Sequence, residues 1–440
     1  MSKDGNRLYI ETWGCQMNLR QSEGWAGIMV QSGFTLVDRL EDADVVLFNG
    51  CMVRQKAEEK VYGRIGAVVQ EKRKRKVLLG IGGCLGQVRA EALLERFRAV
   101  DLVFGSSGYA NLPDLIRQAQ QERFIDLETH AFNEESPAVR ASQVTAKVTI
   151  TEGCSNFCTY CVVPFARGPM RSRPRKLVIA EVKALLDEGY REVLLLGQNV
   201  NAYGSDQQNC GDFPNLLRAV SDTGIARVRF TTSHPRDMSN EIVRVMKDRA
   251  NVCPHLHLAC QSGSDRILQA MNRGYTSAHF LHIVEEARTQ LPDLNVTTDI
   301  IVGFPGETEE DFERTLDLVE SARFGTVFAA KYSPRPLTKG RLLVDDVTAE
   351  VKARRLEILL DRQREIALAL NQTLIGSERE ILVEGRSKRG GWYGRTGDHR
   401  TVMVDGDAEA GSIPTVRIEG ASAASLGGSI LVRECAGGTG

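Results

Sequence analysis

No run of eighteen apolar residues occurs in the 440-residue chain, so none of it reads as a membrane helix. The opening stretch Met1-Ser-Lys-Asp-Gly-Asn-Arg7 lacks the apolar core of an export signal, and a cytoplasmic protein is expected. Net charge is almost absent too. With 56 Lys and Arg against 57 Asp and Glu the balance is -1, so any RNA surface must be local rather than global. Internal repeats and long low-complexity tracts are missing. In a reducing compartment the ten cysteines are expected to be ligands, nucleophiles or core residues rather than disulfides. The length is too great for one ordinary core, which predicts two or three domains.

What is present centres on cysteine. Cys154, Cys158 and Cys161 stand at C-x3-C-x2-C spacing in a short loop flanked by apolar residues. Three ligands on one loop suit three corners of a cubane iron–sulfur cluster whose fourth iron stays open. A ferredoxin would add a fourth cysteine followed by Pro, and the loop has neither. The competing reading is a zinc site completed by a distant His or Cys.

A second set emerges from the N-terminal third. Strand-like runs Leu8–Thr12, Ala43–Asn49 and Lys76–Ile81 each lead into a Gly-Cys step, at Cys15, Cys51 and Cys84. With a fourth strand at Leu102–Phe104 and helices near 18–30, 56–74 and 111–121, this is a βαβ domain with a parallel sheet. Ligands bind at the carboxyl edge of such sheets, so the three cysteines should converge on a second metal–sulfur centre. Residues 122–140 read as a connector. Cys210, Cys253, Cys260 and Cys435 lack ligand spacing and read as structural.

Strands at 146–150, 192–196, 227–231, 255–258, 296–302 and 326–331 alternate with amphipathic helices and predict a partial (β/α)6 barrel, whose strand ends carry the unusual residues. His255 and His257 share one strand face and read as packed core histidines. The Arg- and Glu-rich helix 349–370 should strap the barrel. Beyond Gln372, short alternating strands between Gly-rich turns predict a small β-barrel. There Arg386, Lys388, Arg389 and Arg395 interleave with Trp392 and Tyr393, a pattern for phosphate contacts beside stacking surfaces. Arg167, Arg171 and Arg173 behind the cysteine loop are further RNA candidates. The run Lys72–Lys76 reads as a solvated helix end.

The C-x3-C-x2-C loop, with Tyr9–Asn18, Leu196–Asn201, Phe230–Pro235 and Gln261–Leu268, resembles the radical S-adenosylmethionine (SAM) enzymes. Within them it is similar to the methylthiotransferase branch, and most to its MiaB-type, tRNA-modifying members. The C-terminal unit resembles the TRAM domain, an OB-like RNA-binding module. The resemblance implies an N-terminal methylthiotransferase domain (1–135), a radical SAM core (140–371) and a TRAM barrel (372–436). It implies [4Fe–4S] clusters on Cys154, Cys158 and Cys161 and on Cys15, Cys51 and Cys84. It also implies SAM contacts among Gln198, Asn199, Ser233, His234, Gln261, Ser262, Arg273, Gly303, Pro305 and Gly306. One SAM would yield a 5′-deoxyadenosyl radical and a second would donate methyl, giving methylthiolation at C2 of N6-isopentenyladenosine 37 of tRNA. Alternatives are threonylcarbamoyl-adenosine, a ribosomal-protein aspartate, or a non-catalytic iron–sulfur RNA sensor. A monomer served by an electron donor such as flavodoxin or ferredoxin is expected. The chain departs from the family pattern at Gly50, where Thr is common, and at Ser333–Gly340, where Gly and small residues are usual.

Overall fold

The computed structural model describes residues 6–53, 55–107, 109–128, 137–207, 210–388 and 390–431. In the N-terminal third, strands β1 (Arg7–Trp13), β2 (Thr35–Leu36), β3 (Val45–Gly50), β4 (Leu78–Gly82), β5 (Leu102–Phe104) and β6 (Phe124–Asp126) alternate with helices. The helices are α1 (Gln16–Gln31), α2 (Gln55–Lys72), α3 (Gly83–Arg96) and α4 (Leu112–Ala119). The sheet is parallel throughout, in the order β2-β1-β3-β4-β5-β6. Every residue of β3 and β4 is buried, as expected where helices cover both faces. The segment read as a connector contributes β6, a three-residue edge strand too short to show periodicity. The basic run after α2 is partly engaged: Lys72 pairs with Asp101, and Arg75 donates to the Leu40 carbonyl at 3.1 Å.

The central domain runs β7 (Thr145–Thr149), β8 (Thr151–Glu152), α5 (Val163–Arg167), β9 (Arg171–Ser172), α6 (Arg175–Asp187) and β10 (Glu192–Leu196). It continues α7 (Phe213–Ser221), β11 (Arg227–Phe230), α8 (Asn240–Asp248), β12 (His255–His257), α9 (Asp265–Ala270), α10 (Ser277–Gln290) and β13 (Asn295–Val302), then α11 (Glu309–Ala322), β14 (Thr326–Lys331) and α12 (Ala349–Gln372). Parallel pairing gives two three-stranded halves, β7-β10-β11 and β12-β13-β14. Isolated bridges Val228–Val252 and Ser233–Leu258 join them into the six-stranded partial barrel. One apolar core, including Phe213, Phe230, Phe280 and Phe324, fills the space under the helices. A capping box between Thr308 and Asp311 starts α11, and α12 packs along β14 as the expected strap.

The C-terminal strands β15 (Glu378–Arg386), β16 (Trp392–Thr396), β17 (Thr401–Asp405), β18 (Thr415–Ala421) and β19 (Leu426–Ile430) close a barrel in the order β15-β16-β17-β19-β18. The basic–aromatic stretch is thus a hairpin, with Arg386 ending β15, Lys388 in the turn, and Trp392, Tyr393 and Arg395 on β16. This barrel sits beneath the amino ends of the central strands, not beside their mouth. Arg227, which opens β11, donates to the carbonyls of Arg395 (2.7 Å) and Glu380 (2.9 Å), and Asn295 to that of Asp398 (2.8 Å). His255 lies against His399 with ring centroids 4.7 Å apart. His255 and His257 both bond the Thr297 hydroxyl, at 3.1 and 3.0 Å, so they are the packed core pair their spacing suggests.

At this floor Arg229 meets Glu192 at 2.7 Å with both side chains almost wholly buried (2% and 4% exposed). Glu192→Ala strands the guanidinium and should cost about 3–5 kcal/mol. Chemical denaturation followed by circular dichroism measures it, and a loss below about 1 kcal/mol would mean that water or another carboxylate replaces Glu192.

Candidate functional site

β1, β3 and β4 are neighbours in the sheet, and Cys15, Cys51 and Cys84 follow their carboxyl ends. Adjacent strands about 4.8 Å apart bring the thiols together although they are distant in sequence. Glycine makes the approach possible. A Cβ on Gly14 would stand 2.8 Å from Cβ of Cys51, and Gly83 holds φ +78° beside Cys84. Beneath them lies a buried amide network: Asn18 donates to Asn49 at 2.7 Å, Asn49 donates to Ser22 at 2.9 Å, and Cys15 donates to Asn18 at 3.2 Å. A hydrogen bond from Cys51 lowers the Cys15 pKa and the same bond raises that of Cys51. Burial raises Cys84, against the pull of Arg167.

The second triplet hangs from the end of β7–β8. Gly153 (φ +77°) turns the chain, and its amide is held by the Gln198 side chain at 2.6 Å. Cys161 N–H bonds the Cys158 carbonyl at 2.9 Å, and Cys154 N–H that of Gly168 at 3.1 Å, folding the loop over. Phe157 sits in the left-handed region (φ 47°), held by Asn272, which donates to its carbonyl at 3.2 Å. Arg273 lies beneath, with Nη1 3.4 Å from Cys158 Sγ and Nη2 2.6 Å from the Ala259 carbonyl. Burial pushes the Cys161 thiol up to about 12 and raises Cys154. A compensating positive group would be needed to hold Cys154 and Cys161 as thiolates.

Among the described residues, no three His, Cys, Asp or Glu stand close enough to share a single metal ion. A cubane takes one thiolate per iron corner, and each triplet offers the donor type for three such corners.

The mouth of the central barrel contains buried polar atoms with no partner: Thr151 Oγ1, Asn199 Oδ1, Asn201 Oδ1, Ser233 Oγ and His234 Nε2. All lie just past the carboxyl ends of β7, β10 and β11, where a polar ligand would satisfy them. His234 Nδ1 accepts the Arg236 amide at 3.2 Å, which places the proton on Nε2. Burial, with Arg273 and Arg236, lowers its pKa to about 2, so it remains a neutral donor. Asn199, Ser233 and His234 thus stand where the sequence put them. Gln261 takes φ 72° and Gly303 and Gly306 φ +72° and +80°, at the same rim as Pro305. Ser262 faces away, its hydroxyl 3.3 Å from that of Thr315 and accepting the Ser264 amide at 3.2 Å. Thr151 was not singled out from sequence, because an isolated Thr before Glu-Gly-Cys carries no motif of its own.

Three of the basic candidates are corrected. Arg167 is buried against Cys84 rather than exposed to RNA. Arg173 is buried and paired with Glu181. Arg395 turns to Glu384 (2.9 Å) and to His399 (2.9 Å) at the barrel floor. Sequence shows charge but not which way it points. Arg171 is half-covered and paired with Glu152 at 3.1 Å. Arg386 and Lys388 are exposed, Arg386 stacking on Trp392 at 4.7 Å, with Tyr393 following Trp392 on the same strand. Arg389 and Cys435 lie outside the described residues.

Residues 7–105 match the uncharacterized protein family UPF0004, 148–319 the Radical SAM superfamily and 372–431 the TRAM domain. The fold is similar to the radical S-adenosylmethionine methyltransferase TsrM of Kitasatospora setae. The TM-score is 0.57 at 12% identity, over 87% of this chain and 79% of that one. Among curated relatives, the tRNA-2-methylthio-N(6)-dimethylallyladenosine synthase of Thermoanaerobacter sp. (strain X514) is 43% identical over 97% of this chain and 93% of its own length. Those of Carboxydothermus hydrogenoformans (44%; 93% and 96%) and Thermotoga petrophila (41%; 97% and 97%) carry the same name. Identity of this order along nearly the whole length, through both cysteine triplets and the C-terminal barrel, places the chain in the family of tRNA-2-methylthio-N(6)-dimethylallyladenosine synthases.

Proposed function

We propose that the chain transfers a methylthio group to C2 of an N6-dimethylallylated (isopentenylated) adenosine at position 37 of tRNA, with SAM and two [4Fe–4S] clusters as cofactors. The observation that carries this reading is the placing of two separate thiol triplets at the carboxyl edges of two parallel sheets that share α5. Val162 and Ala166, on the segment leaving Cys161, pack inside the N-terminal core, and the Ser106 hydroxyl donates to the Ala166 carbonyl at 2.6 Å. The segment leaving one triplet is therefore anchored in the domain that holds the other. Clusters and SAM supply the one-electron chemistry and the methylthio group; the protein holds, orients and shields them.

In this reading Cys154, Cys158 and Cys161 hold the SAM cluster and Cys15, Cys51 and Cys84 the auxiliary one. Asn199, Ser233 and His234, joined by Thr151 and Asn201, offer the unpaired polar atoms to SAM. Gln198 shapes the cysteine loop, Arg273 supports Cys158, and Gln261, Gly303, Pro305 and Gly306 form the rim. Arg386, Lys388, Trp392 and Tyr393 are the RNA-facing set. The working division is 1–135, 140–371 and 372–436. Among the described residues no helix is long and apolar enough to cross a membrane. A cytoplasmic monomer reduced by a flavodoxin- or ferredoxin-type donor completes the proposal.

Anaerobically reconstituted protein should bind about eight irons per chain, two cubanes' worth, and about half that after Cys154, Cys158 and Cys161 are changed to Ala. Zinc in place of iron would sink the cluster assignments. The complementary Cys15→Ala, Cys51→Ala, Cys84→Ala variant, given SAM, reductant and dimethylallylated tRNA, should still release 5′-deoxyadenosine but form no 2-methylthio nucleoside. Chromatography with mass spectrometry reads both products from one reaction. A folded variant that still forms the methylthio nucleoside would reduce the N-terminal triplet to a structural role.

For RNA, Arg386→Gln with Lys388→Gln should weaken tRNA binding and lower the slope of log affinity against log salt by roughly one to two, since each lost phosphate contact releases about one counterion fewer. Fluorescence anisotropy at several salt concentrations measures it, and an unchanged slope would move the RNA surface elsewhere.

A further inference from the structure

One buried charge has no role in that scheme. Arg167 ends α5 and is 6% exposed. It follows Ala166, which is buried in the same core as Cys84, and its guanidinium lies within electrostatic reach of Cys84 and Cys15. Yet its Nη2 is buried with no hydrogen-bond partner. The carboxylate acting on it most strongly, Glu152, is engaged by Arg171 at 3.1 Å, so it is no dedicated partner for Arg167.

Arg273 supplies the comparison. It sets one N–H on a cluster-loop thiol, Cys158, at 3.4 Å, and its remaining donors are spent on the Ala259 carbonyl (2.6 Å), Tyr160 (3.3 Å) and Tyr275 (3.1 Å). Each triplet therefore has one guanidinium within reach of its thiols, and Arg167 retains a spare donor.

We propose that Arg167 is a positioning residue for the metal–sulfur group held by Cys15, Cys51 and Cys84: one N–H fixes the Cys84 sulfur, Nη2 donates to a sulfur of the bound group, and the charge raises that group's reduction potential. This rests on the two-centre reading above. Adding an electron adds negative charge, and an adjacent cation in a dry site stabilises the reduced form. Hydrogen bonds to the sulfurs act in the same direction. Arg stays protonated throughout, so the effect is permanent rather than a titration. Because the cation is carried by the helix that leaves Cys161, docking of the central loop also sets the electronic state of the N-terminal centre.

The test uses the full chain with Cys154, Cys158 and Cys161 changed to Ala, so that a single centre remains. Arg167→Met removes charge and donors while keeping the apolar stem; Arg167→Lys keeps the charge and one donor group. Iron content and the potential from a redox titration followed by electron paramagnetic resonance are read for parent and variants, with circular dichroism confirming the fold. At the parent's midpoint, the reduced-to-oxidised ratio should fall about tenfold in Arg167→Met, a shift of about 59 mV for one electron, and stay near the parent's in Arg167→Lys. Loss of iron in Met but not in Lys supports the proposal equally. Both variants holding iron at the parent's potential would overturn it, as would equal damage in both, which would make the residue a packing element. A parent without iron would overturn the two-centre reading itself.

Discussion

The architecture hinges on the short helix α5, which belongs to the central domain by sequence and to the N-terminal core by packing. Val162 and Ala166 are buried among Val46, Phe48, Ile81 and Cys84. The polypeptide that leaves Cys161 is thus anchored in the domain that holds the other three thiols. A flexible linker between domains would let the two centres drift by several ångströms; a helix embedded in a close-packed core does not. Lys147 and Arg140 strengthen the same junction by meeting Glu23 of α1, at 3.1 and 3.9 Å. Chemistry that needs one carbon to face two metal centres requires such rigidity.

Electrostatics around the thiols follow from the same junction. Cys15 is exposed, but Cys51, Cys84 and Cys158 are buried and Cys154 and Cys161 partly so, and burial raises the pKa of Cys84, Cys154 and Cys161. Burying thiols without cations would keep them neutral and make them poor ligands. The fold answers with Arg167, within electrostatic reach of Cys84 and Cys15, on one side and Arg273, 3.4 Å from Cys158, on the other. Positive iron would complete the compensation that two guanidinium groups begin.

Much of this was legible in the sequence because period and spacing survive without a structure. The Gly-Cys steps after three apolar runs placed Cys15, Cys51 and Cys84 on one sheet edge, and strand adjacency then followed from the βαβ rule. The C-x3-C-x2-C loop and the six strands of the partial barrel were equally plain. What escaped was direction. Arg167, Arg173 and Arg395 read as a basic surface, yet their partners Cys84, Glu181 and Glu384 come from elements that only the tertiary fold brings near. The short strands β2 and β6 carry too few residues for alternation to register. Thr151 gained meaning only when its hydroxyl proved to be buried without a partner.

The position of the C-terminal barrel constrains what kind of substrate the site can select. It is bolted to the floor of the central barrel, through Arg227, Asn295 and His399, whereas the cysteine loop and the unpaired polar atoms lie at the mouth. The longest central strand, β13, has eight residues, which separates floor and mouth by roughly 26 Å. A free nucleoside at the mouth cannot touch the C-terminal barrel across that span. In the proposed function, a structured RNA running along the barrel wall is long enough to engage both at once. In the proposed reading, RNA recognition and chemistry on the base fall at opposite ends of the molecule, and affinity gained at the floor would be available to hold the base at the mouth.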